Sequence, residues 1–492
     1  MTESDHLPHT EHEIHLDSPG YLSFSRQVIL GILGTALAGG IGAVLAALLY
    51  TDGMRRLMLA YLVALAFVLS ISLGSLFFIL IQHLTRAGWA VLIRRPAEVL
   101  ALNVITVGVL ALPIIAFAFS GSVSIYPWAR VVGSDATLDA LPTEHARLRS
   151  DSFVHLVASH TEAIASIPIE EDRANSHSTN SPDGEPPHAI RHAETEDQHA
   201  HLYAHQTFDE LTASKTAWLN PAFFSVRLVL YFGIWSAMAW FFFSTSRRQD
   251  EVGGTKDTLL MEQWSPPLAL AFALTLTFAA FDLLMSLNPH WYSTIFGVYY
   301  FAGCAVGGFA SSLLVWLVLS RIGKMPAKLS EAHFRDLGRL LFAFIFFWGY
   351  IAFSQYMLLW YANIPETTSW WAVRGASLAD GYRSSWGYVL VILLFGHFIV
   401  PFLGIMSRHV KDHQRAMMGW SIFILFMHYI DLYWLVMPEF RPWIAFGLPE
   451  IGSLMLVGGL YCIGATYFAT QTALVPVGDP RIAPSAALKD MY

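Results

Sequence analysis

Two acidic residues interrupt apolar stretches that are long enough to enter a lipid bilayer. Asp282 lies in FDLLMSLNP (281–289) and Asp431 in IDLYWLVMP (430–438), so each aspartate precedes a leucine and stands seven positions before a proline. We interpret the two segments as an internal repeat. An ionised carboxylate at the centre of a membrane helix costs at least about 2.5–3.5 kcal/mol, so it should face protein or water, or bind a proton. The pattern predicts proton exchange at two equivalent places.

Two histidines accompany the second aspartate. His428 stands three residues before Asp431 on the same helical face, and His397 lies in the middle of the preceding apolar stretch. A buried imidazole beside a carboxylate suits a proton relay, because the pKa of imidazole is near neutral pH. Ligation of a b-type haem is the alternative. It is less favoured because two-haem cytochromes usually take two histidines from each of two helices, and no stretch here has two.

Further polar residues lie near the first aspartate and in a later apolar stretch. Thr275, Asp282, Ser286 and Pro289 share a helical face that could line a wet pocket, and His290 follows at the membrane interface. The stretch FWGYIAFSQYMLLWYANIPE (347–366) is unusually polar for a lipid-facing helix. Hydrogen bonds between helices would explain its polar groups, and so would a polar path. The candidates for that path are Tyr350, Gln355, Tyr356 and Glu366.

Four titratable residues mark the opposite ends of the same helices. They are His83, Glu98, His333 and Asp336. Glu98 follows Pro96 at a helix start, where an acidic residue is stabilised by the helix dipole, so this ordinary role competes with a role in proton uptake. We interpret the four residues as an inner approach to the membrane site.

The elements that must position these residues are membrane-spanning helices. The chain has 492 residues, 55% of them apolar, and a mean hydropathy of +0.48, which indicates an all-α polytopic membrane protein. We predict ten spans, with spans 2–5 and 6–9 as two four-helix bundles flanked by spans 1 and 10. Their predicted bounds are 28–49, 57–82, 97–120, 222–243, 266–287, 294–319, 338–361, 386–407, 417–437 and 450–470.

Charge predicts the orientation and divides the chain into regions. Lys and Arg are concentrated in the short loops after spans 2, 4, 6 and 8, which predicts that both termini are cytoplasmic, in a bacterial inner membrane. The regions are a polar tail (1–27), spans 1–3 (28–120), an acidic periplasmic loop (121–221), spans 4–5 (222–287), spans 6–9 (294–437), an outer loop with span 10 (438–470) and a C-terminal tail (471–492).

Histidines are abundant in the two polar stretches. Metal capture is one interpretation, and a solvated segment without a fixed ligand frame is the other, which we favour. The loop histidines are His145, His155, His160, His177, His188, His192, His199, His201 and His205, and the tail has His6, His9, His12 and His15. The two cysteines, Cys304 and Cys462, form no motif for a c-type haem, an iron–sulfur cluster or zinc.

Four motifs resemble one family of membrane proteins. They are HLTRAGWAVLIRRPAE (83–98), FDLLMSLNPHWYSTIFGVY (281–299), HFRDLGRLLFAFIFFWGYIAFSQYMLLWYANIPE (333–366) and IDLYWLVMP (430–438). With the ten spans and their repeat, they resemble the polysulfide-reductase-type, quinone-interacting membrane subunits. The closest resemblance is to the second membrane subunit, lettered F, of alternative complex III, a quinol:electron acceptor oxidoreductase. Both tails and the long loop lie outside the resemblance.

The resemblance implies a membrane subunit of a respiratory complex with no redox centre and no covalently bound cofactor of its own. Its substrate would be menaquinol or another quinol, oxidised near the outer face. Its partners would be an iron–sulfur subunit, a homologous sister membrane subunit and multihaem cytochrome c subunits, with haems and iron–sulfur clusters in those partners, together with a terminal oxidase and membrane lipid. No nucleic acid is expected.

The resemblance also implies roles for the candidate residues. Asp282, His290, Tyr350, Gln355, Tyr356 and Glu366 would form the outer half of a polar path or quinone-facing surface, His83, Glu98, His333 and Asp336 its inner approach, and His397, His428 and Asp431 a site in the second bundle. Two other functions stay open. Mid-membrane acids in a repeated helical fold also suit a secondary transporter, and two aspartates that only tie helices together would suit a structural scaffold.

Overall fold

Helices form almost all of the regular structure in the described chain. The computed structural model describes residues 21–50, 53–121, 124–130, 210–324, 330–376 and 384–487. Within these ranges, ten helices are long and apolar enough to cross a membrane, which confirms the prediction of an all-α polytopic membrane protein. Spans 1 to 10 are Arg26–Leu49, Gly53–Leu84, Val91–Ala118, Pro221–Val252, Lys256–Leu287, Phe296–Arg321, Glu331–Ala362, Trp386–Met406, Gln414–Glu439 and Leu448–Thr470.

Several helices are longer than their apolar segments. Span 4 continues to Val252, and spans 5 and 7 begin at Lys256 and Glu331, well before the predicted starts. The extra turns carry charged residues, because hydropathy detects only the part of a helix that suits lipid. Spans 5 and 9 finish at the same end of the molecule, and we call it the aspartate end. The opposite end, where span 10 finishes and the C-terminal residues lie, is the tail end.

Spans 2 and 6 form the centre of the molecule. In each helix, 83% of the most apolar 18-residue stretch is buried. The two helices touch through backbone, since a Cβ atom built on Gly74 would lie 1.8 Å from the carbonyl oxygen of Cys304 and one on Gly308 would lie 2.4 Å from the carbonyl carbon of Gly74. Small residues permit this close approach of membrane helices, which have no hydrophobic driving force to hold them together. The two equivalent helices of the repeat therefore meet at the core.

The remaining spans surround this pair. Spans 3, 4 and 5 pack with span 2 as the first bundle. In the second bundle, spans 7 and 9 pack with span 6, and span 8 packs with spans 7 and 9. Spans 1 and 10 lie against each other, with Gly39 and Gly452 at their closest approach, and span 10 also contacts span 2. This arrangement puts Asp282 and Asp431 in equivalent helices of the two bundles.

Span 8 contains an irregular turn that bears on the site. Residues Leu394–Ile399 form a π-helical turn between two α-helical pieces. Pro401, two residues after this turn, has no N–H to bond to the carbonyl of His397 four residues earlier, so the regular ladder cannot continue there. Such turns often occur at functional sites. This one contains His397.

The histidine-rich stretches and most of the acidic loop lie outside the described residues, and with them the interpretation of the loop and tail histidines as metal ligands or as solvated groups. The described parts of the loop pack at the aspartate end. Tyr126 and Trp128 are buried there and donate to the carbonyl oxygens of Leu283 (3.1 Å) and Ser286 (3.1 Å). The beginning of the loop thus covers the end of span 5.

Candidate functional site

Asp282 is held by four hydrogen bonds in the first bundle. Arg227 of span 4 donates from Nε to Oδ2 (2.8 Å) and from Nη2 to Oδ1 (2.8 Å), which makes a bidentate ion pair. The hydroxyl of Tyr231 donates to Oδ2 (2.8 Å) and the indole N–H of Trp218 donates to Oδ1 (3.2 Å). The Asp282 side chain is only 1% exposed. Its charge is therefore compensated inside the protein.

The local sequence fixes Arg227 in place. Span 4 starts at Pro221, and the side chain of Asn220 caps the start by accepting from the backbone N–H of Phe223 (2.8 Å). Two turns into the helix, the guanidinium of Arg227 lies between the rings of Trp218 (4.3 Å) and Phe223 (4.4 Å) and donates to the Trp218 carbonyl (2.9 Å). The cation has no freedom to leave the aspartate.

A pocket of about 370 Å³ borders this ion pair at the aspartate end. Asp282, Ser286 and Pro289, three of the residues predicted to share a wet face, line it together with Trp218. The fourth residue, Thr275, lies elsewhere and accepts from an indole of span 4. The other walls are formed by apolar and aromatic residues together with Ser214, Lys215 and Asn288, so the pocket combines an apolar surface with a few polar groups, as sites for small molecules do.

Asp431 has a different environment in the second bundle. It is 1% exposed, and Tyr299 of span 6 donates its hydroxyl proton to Oδ1. The indole N–H of Trp348 in span 7 donates to Oδ2 (3.3 Å). In the described part of the chain no Lys or Arg forms an ion pair with Asp431. Two neutral donors hold this carboxyl group, so the neutral acid form can occupy the same site without an unpaired cation.

His397 and His428 extend the Asp431 site into the bundle. The ring of His397 lies against that of Trp348 (centroids 4.1 Å apart), and 6.0 Å separates the ring centres of the two histidines. Both imidazoles are fully buried. Neither ring nitrogen of His397 has a hydrogen-bond partner within the described residues. We call Asp431, Tyr299, Trp348, His397 and His428 the Asp431 cluster.

The hydrogen bonds of Ser70 define the tautomer of His428. The hydroxyl oxygen of Ser70 lies 2.7 Å from the carbonyl oxygen of Phe67, and this contact requires Ser70 to donate its one proton. The same oxygen is 2.8 Å from Nε2 of His428, so Nε2 carries a proton and donates to it. A neutral imidazole then has its lone pair on Nδ1, which has no partner in the described structure. His428 thus presents a basic nitrogen inside the bundle.

Glycines of span 6 create the space for His428. A Cβ atom on Gly303 would lie 2.8 Å from Cε1 of the imidazole, and one on Gly307 would lie 3.1 Å from Cδ2. Real Cβ contacts are longer than the first of these distances, so a larger residue would displace the ring. The backbone of span 6 is therefore shaped around this side chain.

The candidates at the tail end fall into two groups. Glu98 accepts from Arg94 (2.7 Å) and lies 3.4 Å from Arg95, and His83 is buried nearby in the first bundle. His333, at the start of span 7, is buried and hydrogen-bonds through Nδ1 to Ser330 (2.8 Å).

Asp336 also belongs to the group at span 7. It is partly exposed and pairs with Arg339 (2.6 Å). Glu98, the acid at the helix start in span 3, differs from Asp336 because it is both ion-paired and buried.

The remaining candidates at the aspartate end have different surroundings. Gln355 is buried and donates to Ser293 (3.2 Å), whereas Tyr350 is 57% exposed on the outer surface of span 7. The ring of Tyr356 packs edge-on against Trp371. His290 lies in the loop after span 5, and Glu366 occupies the first turn of a short helix, with its side chain outside the described structure.

Sequence reasoning missed the partners of both aspartates. Arg227 carries a charge within an apolar span, and this signal could have identified it. Tyr299 and Trp348 look like ordinary aromatic residues of membrane helices, and Ser70 looks like an ordinary small residue. No spacing rule connects them with a residue more than 80 positions away.

Neither protein-family models nor curated proteins give a match to this chain. Among the described residues, no group of three or more His, Cys, Asp or Glu side chains is arranged to hold a metal ion. The chain is thus a multi-pass helical membrane protein with an ion-paired aspartate in one bundle and an aspartate without a cationic partner in the other.

Proposed function

We propose that this chain is a membrane subunit of a respiratory quinol:electron acceptor oxidoreductase of the alternative complex III type, and that it contributes a proton-exchanging group rather than a redox centre. The observation that carries the proposal is the Asp431 cluster. It combines a buried carboxyl group with no cationic partner in the described chain and two buried imidazoles, one of which has a lone pair available.

The chemistry of the cluster supports proton exchange. A buried carboxylate without a cation is costly, and binding a proton removes that cost. Tyr299 can donate to the ionised group. The ring of His397 packs against Trp348, and the ring of His428 lies 6.0 Å from that of His397. A proton can be stored on the carboxyl group without any rearrangement of helices.

The first bundle has another part in this proposal. The Arg227–Asp282 pair compensates its own charge, which favours a structural role for this aspartate, the role that the scaffold hypothesis gave to both. The adjoining pocket has aromatic walls and reaches the ion pair, and it is the surface that we propose to face a quinol headgroup. The two halves of the repeat would then divide binding and proton storage between them.

A secondary transporter is less well supported. Transporter repeats commonly place broken helices at the bilayer midplane around the substrate. Here span 5 is helical to Leu283 and span 9 to Val436, and the prolines of the repeat come after these points. The interruption in span 8 concerns one helix and not an equivalent pair.

The test is an Asp431→Asn substitution in the natively purified assembly. Asparagine keeps the size of aspartate and one acceptor oxygen for Tyr299, so assembly should be retained. Loss of a general acid or base typically slows a reaction by about 10²–10⁴-fold, so quinol oxidation and the accompanying proton release should fall by at least about 10²-fold. Asp257→Asn is the matched control, because this carboxylate is also buried, pairs with the exposed Arg248 (2.5 Å) and belongs to no proposed path, and it should leave turnover unchanged.

Two results would contradict the proposal. If Asp431→Asn assembles and turns over normally, the carboxyl group only supports the fold. If the mildly purified chain carries neither an iron–sulfur nor a cytochrome c partner, it does not belong to such a complex.

A further inference from the structure

Buried polar atoms without hydrogen bonds are concentrated at the tail end of the first bundle. Within the described structure, these atoms are Gln82 Oε1, both ring nitrogens of His83, Nε of Arg95 and Gln249 Oε1. Burial without a partner costs each such group free energy, so proteins rarely leave several together. In native proteins, ordered water normally satisfies groups of this kind.

The contacts between these residues place them in one neighbourhood. Arg94 donates to Glu98 (2.7 Å) and to the hydroxyl of Ser246 in span 4 (3.4 Å). Arg95 bonds to Asp250, the neighbour of Gln249 at the end of span 4. The ring of His83 stacks on Phe242 of the same span (5.4 Å). Spans 2, 3 and 4 therefore enclose a common polar site.

The balance of charge favours a neutral ligand. Arg94, Arg95 and Arg481 face Glu98, Asp250 and Asp479, which form ion pairs with them at 2.5–3.4 Å. An anion or a metal ion would disturb pairs that already compensate each other. Water needs only donors and acceptors, and the unpartnered atoms include both kinds.

The C-terminal residues 472–485, which we call the strap, close this site. Asp479 is buried, accepts from Arg94 (3.3 Å) and pairs with Arg481 (3.0 Å). Arg481 also pairs with Glu262 of span 5 (3.0 Å). The strap therefore ties span 3 to span 5 across the end of the bundle.

Two further residues hold the strap closely. The backbone of Gly478 packs on span 4 so tightly that a Cβ atom there would lie 1.8 Å from the carbonyl oxygen of Gln249. Ser485 donates to the carbonyl of Trp89 (2.8 Å) and lies 3.4 Å from Nε2 of His333 in the second bundle. The strap thus crosses from the first bundle to the start of span 7.

We propose that Gln82, His83, Arg95 and Gln249 bind a cluster of ordered water molecules and that the strap is its removable cover. The proposal concerns access of water and requires no assumption about quinol. Opening the strap would connect the cluster to the solvent at the tail end, and closing it would isolate the cluster.

Hydroxyl-radical footprinting with peptide mass spectrometry tests the water site in the full chain in lipid nanodiscs. Radicals formed from bound water oxidise the side chains beside it. After correction for intrinsic reactivity, we expect His83 to react about tenfold faster than Phe309, which is fully buried in the apolar core. A His83 side chain as protected as Phe309 would overturn the water site.

Asp479→Asn tests the cover. Loss of its charge weakens the pairs with Arg94 and Arg481, and diethyl pyrocarbonate should then modify His83 about tenfold faster, because the strap opens more often. The control is Asp336→Asn, which also removes a carboxylate paired with an arginine at the tail end but does not touch the strap. It should leave His83 unchanged.

Folding of the variants is checked in the same samples through continued protection of Phe309 from radicals. If Asp479→Asn does not fold, Ser485→Ala, which removes the bond to the Trp89 carbonyl, takes its place. Unchanged modification of His83 in the folded variant would overturn the role of the strap.

Discussion

Asp282 and Arg227 form a bidentate ion pair at 2.8 Å, whereas the equivalent Asp431 accepts hydrogen bonds from only the phenol of Tyr299 and the indole of Trp348. The two halves of the internal repeat therefore each contain one carboxyl group at a similar depth and with similar burial, but with different electrostatic surroundings. The first is a fixed anion with its own cation. The second is the group for which a change of protonation is inexpensive.

Removal of one partner from the Asp282–Arg227 pair should strongly destabilise the protein. Arg227→Met leaves a buried carboxylate without its cation, and breaking a buried pair in this way costs about 3–5 kcal/mol. Unfolding in mixed detergent micelles measures the loss. Arg339→Met, which breaks the more exposed pair with Asp336, should cost less than about 1 kcal/mol. Equal losses in the two variants would show that the buried pair has no special importance.

Infrared spectroscopy should distinguish the two aspartates. We expect a carboxylic-acid C=O band in the intact protein that disappears in Asp431→Asn, because this carboxyl group has no cation beside it. Asp282→Asn should leave the band in place, since Asp282 forms a bidentate ion pair with Arg227. A band that disappears with Asp282 and persists without Asp431 would reverse the assignment.

Ser70→Ala should alter the tautomer of His428. Without the serine oxygen, Nε2–H has no acceptor, and the two neutral tautomers become closer in free energy. The ¹⁵N chemical shifts of selectively labelled histidine report the change. Ser70→Thr keeps the hydroxyl group and should preserve the Nε2–H form. If Ser70→Ala leaves the shifts of His428 as they are, the serine does not select the tautomer.

Gly303→Ala should displace the His428 ring and lower stability. The new methyl group would lie 2.8 Å from Cε1, and overpacking of this kind costs about 1–3 kcal/mol. Gly233→Ala is the matched control in span 4, where nothing lies within 4 Å of the new Cβ atom. Alanine is favoured over glycine in a helix, so this control should be neutral or slightly stabilising. Similar unfolding midpoints for both variants would contradict the packing argument.

Docking of the strap should depend on pH and should weaken in acid. Burial alone would raise the pKa of Asp479, but hydrogen bonds from Arg481 and the charge of Arg94 outweigh it and lower the pKa below its ordinary value. A lowered folded-state pKa stabilises the docked form above the unfolded value of about 3.9, and this contribution is lost as the pH falls through the folded value.

Limited digestion with carboxypeptidase measures this dependence. In the wild-type protein, release of C-terminal residues should be slow at neutral pH. It should accelerate as the pH of the pre-incubation falls below about 4. Asp479→Asn should be released quickly at every pH. A wild-type strap that stays equally protected in acid would show that Asp479 does not control docking.

The amino-acid sequence by itself determined the class of the protein and the depth of its acidic residues. Apolar runs of about 20 residues specify spanning helices whatever their neighbours are, because backbone groups in lipid must bond within the segment. The repeat around Asp282 and Asp431 identified both carboxyl groups. Hydropathy could not locate the ends of spans 4, 5 and 7, because their helices continue as charged turns.

Only the tertiary structure decided what surrounds each aspartate. The contrast between them depends on residues from other helices, Arg227 for Asp282 and Tyr299 with Trp348 for Asp431. Burial, charge compensation and tautomer are properties of side chains that meet across helices, and sequence spacing cannot encode those meetings. Two motifs that share the positions of an aspartate, a leucine and a proline thus have different electrostatic surroundings, and the free energy of a buried charge is set by the neighbours that the fold brings to it.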